Sequence, residues 1–362
     1  MGKGGYPMWF WVLAVALAEP AVSALADPLS LSDEVPARPR QKPPLQLLGR
    51  VMLDTNRTLD PAAPDDQPWL DIRRARFQLK YKPIDEVRLK LDWNLEKMVI
   101  HDLYGDFGTD TYWVRVGQSK MPVSAAFLES SLHLPFAERP MLHDVLQNGR
   151  FVGGNLMTSH EHFFAEIAGG QTRPFDSEAG STEVYLHGIW KPVDGIWASG
   201  AVSVGDQVAL VPEFVSVSGA EWATVSQPVT GLAERATLGG SMWSAPLRFD
   251  IEGMGLWGEA DEPLSVVGGY AEVLWMITGE EHRYAKTPTP NNPIHSGLGA
   301  FELGLRYEKL WSRGVVDGEA SAVTGGLTWF AHKHIKVPFN LVYTQTPVWN
   351  ETTLVVRFQA SG

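Results

Sequence analysis

IDEVRLKLDWNLEK, residues 84–97, alternates apolar and polar side chains almost without interruption. Val87, Leu89, Leu91, Trp93 and Leu95 fall on one parity, and Arg88, Lys90, Asp92, Asn94 and Glu96 on the other. A period of two belongs to a β-strand, whose successive side chains point to opposite faces. The preceding stretch does the same. Ala75, Phe77, Leu79 and Tyr81 oppose Arg74, Arg76, Gln78, Lys80 and Lys82. Pro83 lies between the two runs and marks a turn, so together they predict a long hairpin.

The pattern returns down the chain. Gly49, Val51 and Leu53 oppose Arg50, Met52 and Asp54; Tyr112, Val114 and Val116 oppose Trp113 and Arg115. Phe163 and Ile167 oppose Phe164 and Glu166, and Val184 and Leu186 oppose Glu183, Tyr185 and His187. Phe301, Leu303, Leu305 and Tyr307 oppose Glu302, Arg306 and Glu308; Leu354, Val356 and Phe358 oppose Arg357 and Gln359. Two all-β architectures use such strands. A soluble sandwich turns its apolar faces inward, whereas a membrane barrel turns them to lipid and encloses the polar ones. Strand length favours the barrel, because spanning strands need about ten residues. Trp69, Tyr81, Trp113, Trp190, Trp197 and Trp275 fall near strand ends, where barrels carry aromatic girdles.

The N-terminus agrees. Lys3, the apolar run Met8–Ala18 and Ala24-Leu25-Ala26 read as a signal peptide over residues 1–26. Residues 27–45, rich in Pro and charge, read as a linker or mobile arm before a barrel domain at 46–362. At roughly 20 residues per strand and connection, the expectation is a transmembrane antiparallel barrel of about 16 strands. Residues 121–148 break the rhythm with short helix-like pieces, and a connection that long has a job. Inside a barrel, that job is to fold inward as a constriction loop. The chain has no Cys, which excludes disulfides and thiolate chemistry. Its net charge of −12 argues against a nucleic-acid partner.

With these residues in view, the sequence resembles the phosphate-selective porin O and P family. The resemblance rests on Ile72-Arg73-Arg74-Ala75-Arg76-Phe77, on Val114 to Pro122 with its Lys120-Met121-Pro122, on Ser130-Ser131, on Phe136 to Pro140 with Glu138-Arg139, and on Gly149 to Gly154. It is strongest over residues 46–170. It implies a trimeric general or anion-preferring porin of the bacterial outer membrane, in contact with outer-membrane lipid, for small anions such as phosphate in the anion-preferring case.

A channel makes no bonds; rings or ladders of Arg and Lys favour anions. The polar parity nominates Arg50, Arg74, Arg76, Lys80, Arg88, Lys90 and Arg115 as channel lining. Lys120, Glu138, Arg139 and Arg150 are nominated at the constriction. The competing reading pairs these bases with Asp54, Asp92, Glu96, Glu129 and Glu138, giving a weakly selective general-diffusion porin. A ligand-binding or adhesion barrel is a further alternative, because loops at 206–234 and 278–297 are long enough to grip a ligand. No nucleophile motif is present, so no enzyme is expected, and no cofactor. His160-Glu161-His162 and His332-Lys333-His334 have a metal-like form, but neither is given a third histidine by sequence spacing, so no metal site is expected.

Overall fold

The computed structural model describes residues 44–59, 70–145, 149–172, 181–210, 212, 214–216, 221–223, 229–258, 263–282, 288–314 and 317–362. The signal-peptide segment, nearly all of the Pro-rich arm and Trp69 lie outside these residues. The alternating stretches become strands: β1 (Leu45–Thr58), β2 (Asp71–Ile84), β3 (Val87–Asn94), β4 (Val99–Gly108), β5 (Tyr112–Lys120), β6 (Arg150–Ser159), β7 (Phe163–Thr172), β8 (Ser181–Val193) and β9 (Ile196–Leu210). A small hairpin follows, β10 (Phe214–Val215) with β11 (Glu221–Ala223). The wall then resumes with β12 (Val229–Ser244), β13 (Leu247–Gly258), β14 (Leu264–Met276), β15 (Ala300–Arg313), β16 (Gly318–His332), β17 (Ile335–Gln345) and β18 (Asn350–Ser361).

Sixteen of these strands form one closed antiparallel barrel, and β10 and β11 stand apart from it. Closure is made by β1 on β18, in register from Arg50 opposite Ser361 to Thr58 opposite Thr353. Gly49 and Gly362 exchange backbone hydrogen bonds at the end of that seam, at 2.7 and 2.9 Å. Closure matters because a sheet edge in hydrocarbon would leave unsatisfied N–H and C=O groups. The parities hold: Leu45, Val116, Leu156, Ile167, Leu238 and Leu305 are exposed on the outer wall, while Arg50, Arg115, Glu166, Arg306 and Arg357 are buried on the inner one.

The outer wall carries Tyr81, Tyr112, Phe163, Trp190, Phe249 and Trp275 near one rim, and Trp257 and Trp311 near the other. Trp113 and Trp197 are not part of that girdle. Both face inward and pack with Met157, Phe164 and Ile189, because their parity is that of the lumen. This corrects the expectation for those two residues.

One end of the barrel is closed by short turns at 85–86, 109–111, 160–162, 194–195, 245–246 and 333–334. Short turns are periplasmic in bacterial barrels. A single connection at that end is long, residues 277–299 between β14 and β15. The stretch expected to grip ligand with the outer loops therefore lies at the opposite mouth.

The β5–β6 connection folds inward, as expected. It holds two single-turn helices, α1 (Ala125–Leu128) and α2 (Leu142–Val145). Ser124 caps α1 by accepting from Phe127 N at 3.1 Å. The loop seats on apolar patches of the inner wall. Met121 and Val123 pack with Phe151, Ala168 and Tyr185, and Ala125 joins the Trp113–Trp197 cluster. Met141, Leu142 and Val145 pack with Met254, Leu256, Tyr270 and Leu310. Phe136 fits where β15 and β16 have no side chains. A Cβ on Gly304 would sit 2.8 Å from its ring, and one on the facing Gly326 would sit 3.0 Å from it.

Two outcomes follow from this packing. Leu238→Arg places a charge on the lipid face of a central strand and is expected to cost about 2–4 kcal/mol in folding into bilayers, read from urea titrations. Gly304→Val overpacks the Phe136 seat by about 1–3 kcal/mol. It should leave the barrel folded but speed proteolysis within the loop; an unchanged cleavage rate would show that Phe136 is not an anchor.

Candidate functional site: the lumen and its inward loop

Lumen charges fall into two arcs. The inner faces of β1–β6 bring together eight of the nominated cations, Arg50, Arg74, Arg76, Lys80, Arg88, Lys90, Arg115 and Arg150. Four carboxylates share that arc, Asp54, Asp92, Asp102 and Asp106. Among the described residues of β7–β18 the balance inverts. Glu166, Glu183, Asp250, Glu252, Glu272, Glu302, Glu308 and Glu351 face Arg235, Arg248, Arg306, Lys336 and Arg357. The two sides of the lumen therefore differ in sign.

The nominated lining residues are brought together on the first arc, and the structure gives them carboxylate neighbours. Arg50 and Arg76 lie 3.6 and 3.9 Å from Asp92. Lys90 and Arg150 meet the two oxygens of Asp102, each at 2.9 Å. Arg115 makes a two-pronged pair with Asp106 at 2.7 and 3.1 Å, and its guanidinium lies 3.8 Å from the centre of the Tyr104 ring. Arg88 pairs with Asp110 at the rim, at 2.6 Å. Lys80 is on the inward parity of β2. Of the carboxylates expected to balance these bases, Asp54, Asp92, Glu129 and Glu138 are in ion pairs. Glu96 sits in the turn after β3, where its N–H donates to the Asn94 side chain at 3.2 Å.

The constriction residues hold the loop itself. Lys120 Nζ donates to the carbonyls of Phe127 and Leu128, both at 2.9 Å, and of Glu129 at 3.2 Å. Arg139 donates to the carbonyls of Ala126 at 3.1 Å and of Glu129 at 2.6 Å. Both cations thus cap the C-terminal end of α1, whose last carbonyls have no partner within the helix. Glu138 is a hub: Arg73 reaches it at 2.7 Å, Arg357 at 2.5 Å and Arg74 at 3.8 Å. Arg73 reaches it from a bulge in β2, where the register with β1 shifts. Arg357 also makes a two-pronged pair with Asp54 at 2.6 and 2.5 Å.

The loop lies against the carboxylate-rich arc and uses those carboxylates as anchors. Glu252 accepts from the Ser124 hydroxyl at 3.1 Å and from Ala125 N at 3.0 Å. Glu308 accepts from Met141 N at 2.6 Å, Asn340 Oδ1 from Ala137 N at 2.7 Å, and Arg306 donates to Glu138 O at 3.0 Å. Lys336 donates to Leu134 O, and Gln359 to Leu132 O at 3.0 Å. At its turn the loop touches the first arc as well, where Arg50 donates to Ser131 Oγ at 3.0 Å. Sequence parity placed Arg306, Glu308, Arg357 and Gln359 on the inner face, but nothing in it pairs them with a loop some 200 positions away.

Residues 227–355 match the family model described as phosphate-selective porin O and P. The chain is an outer-membrane β-barrel that is similar to that family over these residues. The match covers β12 to β18, whereas the motifs that carried the resemblance lie in the other half. Comparison with curated proteins gives no match. Among solved structures, the barrel is similar to OmpT of Vibrio cholerae in its trimer form, at 10% identity and TM-score 0.64 over 88% of this chain and 99% of that one. It is also similar to the anion-selective porin of Comamonas acidovorans, at 11% and 0.60 over 88% and 99%. Salmonella typhi OmpF in complex with daunomycin matches at 10% and 0.59 over 88% and 97%. At such identities the likeness is one of fold, and fold and family point to a channel rather than an enzyme.

The two histidine motifs of this barrel part company. In the first, His160 stacks on Phe163 with ring centres 4.5 Å apart, and His162 contacts Lys191 O at 3.1 Å. That pair belongs to the aromatic rim. Among the described residues no three His, Asp or Glu side chains converge ready to hold a metal ion.

Burial alone would raise the Glu138 carboxyl, but Arg73, then Arg357 and Arg74, outweigh it and hold it well below the usual carboxylate range. A depressed folded-state value means the anchor is fully present above the unfolded value near 4.3 and is lost only as pH falls through the lower folded one. The loop should therefore stay seated at pH 4, giving single-channel steps as quiet as at pH 7 after correction for bath conductivity. Glu138→Gln should be noisy at both pH values and lose about 3 kcal/mol or more of stability, because it leaves three guanidinium groups without their shared anion.

Proposed function

We propose that this porin passes small anions by passive diffusion, phosphate among them, along the basic arc of β1–β6. The observation that carries this reading is the position of the loop. It covers the carboxylate-rich arc, where Glu252 and Glu308 spend their oxygens on loop N–H and hydroxyl donors. The opposite arc carries more cations than carboxylates and is the wall an ion would pass. Arg suits phosphate in particular, because its planar donors match two oxygens at once and its charge is independent of working pH. Assembly as a homotrimer in outer-membrane lipid fits the same reading, since one neighbour of like fold is described in a trimer form.

Weakly selective general diffusion is the second reading. It is favoured by the pairing of Asp92, Asp102 and Asp106 with the very bases that would select.

The test is the zero-current potential across a KCl gradient in a planar bilayer. An anion-selective sign is expected, and it should fall toward zero in the Arg76→Gln/Lys90→Gln double variant. Added phosphate should then reduce the chloride current. A near-zero or cation-selective potential in the native protein would sink the anion reading and leave general diffusion. Folded protein that gives no steps at all would remove the channel itself.

A further inference from the structure

His332 and His334 flank the β16–β17 turn, and the sequence offers them no third partner. The fold supplies one. The long connection at the short-turn end runs back over the end of β16 and is fastened there. Ile294 N donates to Ala331 O at 3.0 Å, and Trp329 Nε1 donates to Leu298 O at 2.6 Å. Between those fastenings the chain turns tightly, with Ser296 N and Gly297 N both donating to Pro293 O, at 2.8 and 2.7 Å. His295 sits in that turn. Its ring centre is 6.3 Å from that of His332, and His332 is 5.2 Å from His334.

These spacings can be set against a metal site. Zn–N bonds of about 2.0–2.1 Å in a tetrahedral arrangement place the centres of two ligating imidazoles roughly 5 Å apart. The His332–His334 pair already has that separation, and the His295–His332 pair exceeds it by about 1 Å. His295 is exposed on its connection, so its ring can turn about its own side-chain bonds toward His332. His334 Nε2 is buried without a hydrogen-bond partner among the described residues, which leaves its lone pair available. Lys333, between the two turn histidines, is exposed and directed to solvent.

We propose that His295, His332 and His334 form a binding site for a divalent transition cation of the zinc or nickel type at the periplasmic mouth. Three neutral imidazoles and a water complete a four-coordinate site, and nitrogen ligands of this kind select such ions over calcium or magnesium. Binding there ties the turn around His295 to the barrel wall through a cross-link that the backbone bonds alone do not supply. The site is independent of the channel's charge selectivity.

The experiment is calorimetric titration of the tag-free, detergent-folded protein with zinc chloride, with Co²⁺ absorption as a second readout. A His160→Ala/His162→Ala background removes the rim motif. In that background one Zn²⁺ per chain is expected, with the intense visible bands of four-coordinate Co²⁺. Even outer-shell partners are worth 10–100-fold in metal affinity, so His295→Ala should weaken binding by more than roughly tenfold. His334→Ala should do the same, and both should abolish the Co²⁺ bands. His295 is exposed, so that variant should retain native heat-modifiable migration on gels. Absence of zinc binding in the rim background, or a His295→Ala protein that titrates like its parent, would overturn the proposal.

Discussion

A bilayer offers no hydrogen-bond partner to a peptide group, and the β1–β18 seam is where this chain meets that demand. Once the ladder closes, the pleat sorts strand residues to lipid or lumen, and the polar rows with their buried charges fall to the lumen. The same closure limits the water available to that charge. Buried ions are costly unless paired and hydrogen-bonded. The dense pairing inside follows: Arg357 with Asp54 and Glu138, Arg115 with Asp106, Asp102 shared between Lys90 and Arg150. These pairs are the terms on which a barrel holds charge at all, and they do not by themselves record a selectivity.

The inward loop is subject to the same demand. A segment of irregular backbone inside a barrel carries many N–H and C=O groups, and most of its partners are wall side chains rather than its own backbone. Lys120, Lys336 and Gln359 on the wall, with Arg139 of the loop itself, take up carbonyls; Glu252, Glu308 and Asn340 take up N–H groups. Donors and acceptors are thus divided by chemistry, with cations and amides on carbonyls and carboxylates on amides. A carboxylate-rich arc is a natural seat for loop N–H groups, which ties the loop's position to the charge asymmetry of the wall.

The barrel was legible in the sequence because its information is local. A parity of two survives along each strand whatever that strand packs on, so Arg88, Lys90 and Asp92 declared their face within a few residues. The inner apolar patches were not legible. Phe151, Met157, Phe164, Tyr185 and Ile189 sit on the lumen parity of β6–β8, yet they are hydrophobic because the loop docks there. Local polarity could not place Trp113 and Trp197 for the same reason. The roles of Lys120 and Arg139 were hidden too, because a cation that caps carbonyls and one that meets solute look identical in a sequence. The third histidine was invisible because a connection of 23 residues, 277–299, returns it to a turn almost 40 positions further on.

A net charge of −12 would seem to repel the anions this channel is proposed to pass. The field felt in a pore, however, is set by the charges nearest the path, and distant ones on the surface are screened within about 8–10 Å at ordinary salt. Asp85 and Asp110 lie at the short-turn rim, almost wholly in solvent. Glu252 and Glu308 lie nearer the path but behind the loop, each already holding donors. On the basic arc Arg76, Lys90 and Arg115 meet carboxylates of their own wall, and the loop reaches Arg50 and Arg74. Arg74, Arg76, Lys80 and Lys90 keep partial exposure, whereas Arg50 and Arg115 are buried, as are Glu252, Glu302 and Glu308 across the lumen. The sign of the path thus depends less on how many charges the chain carries than on which of them the loop covers.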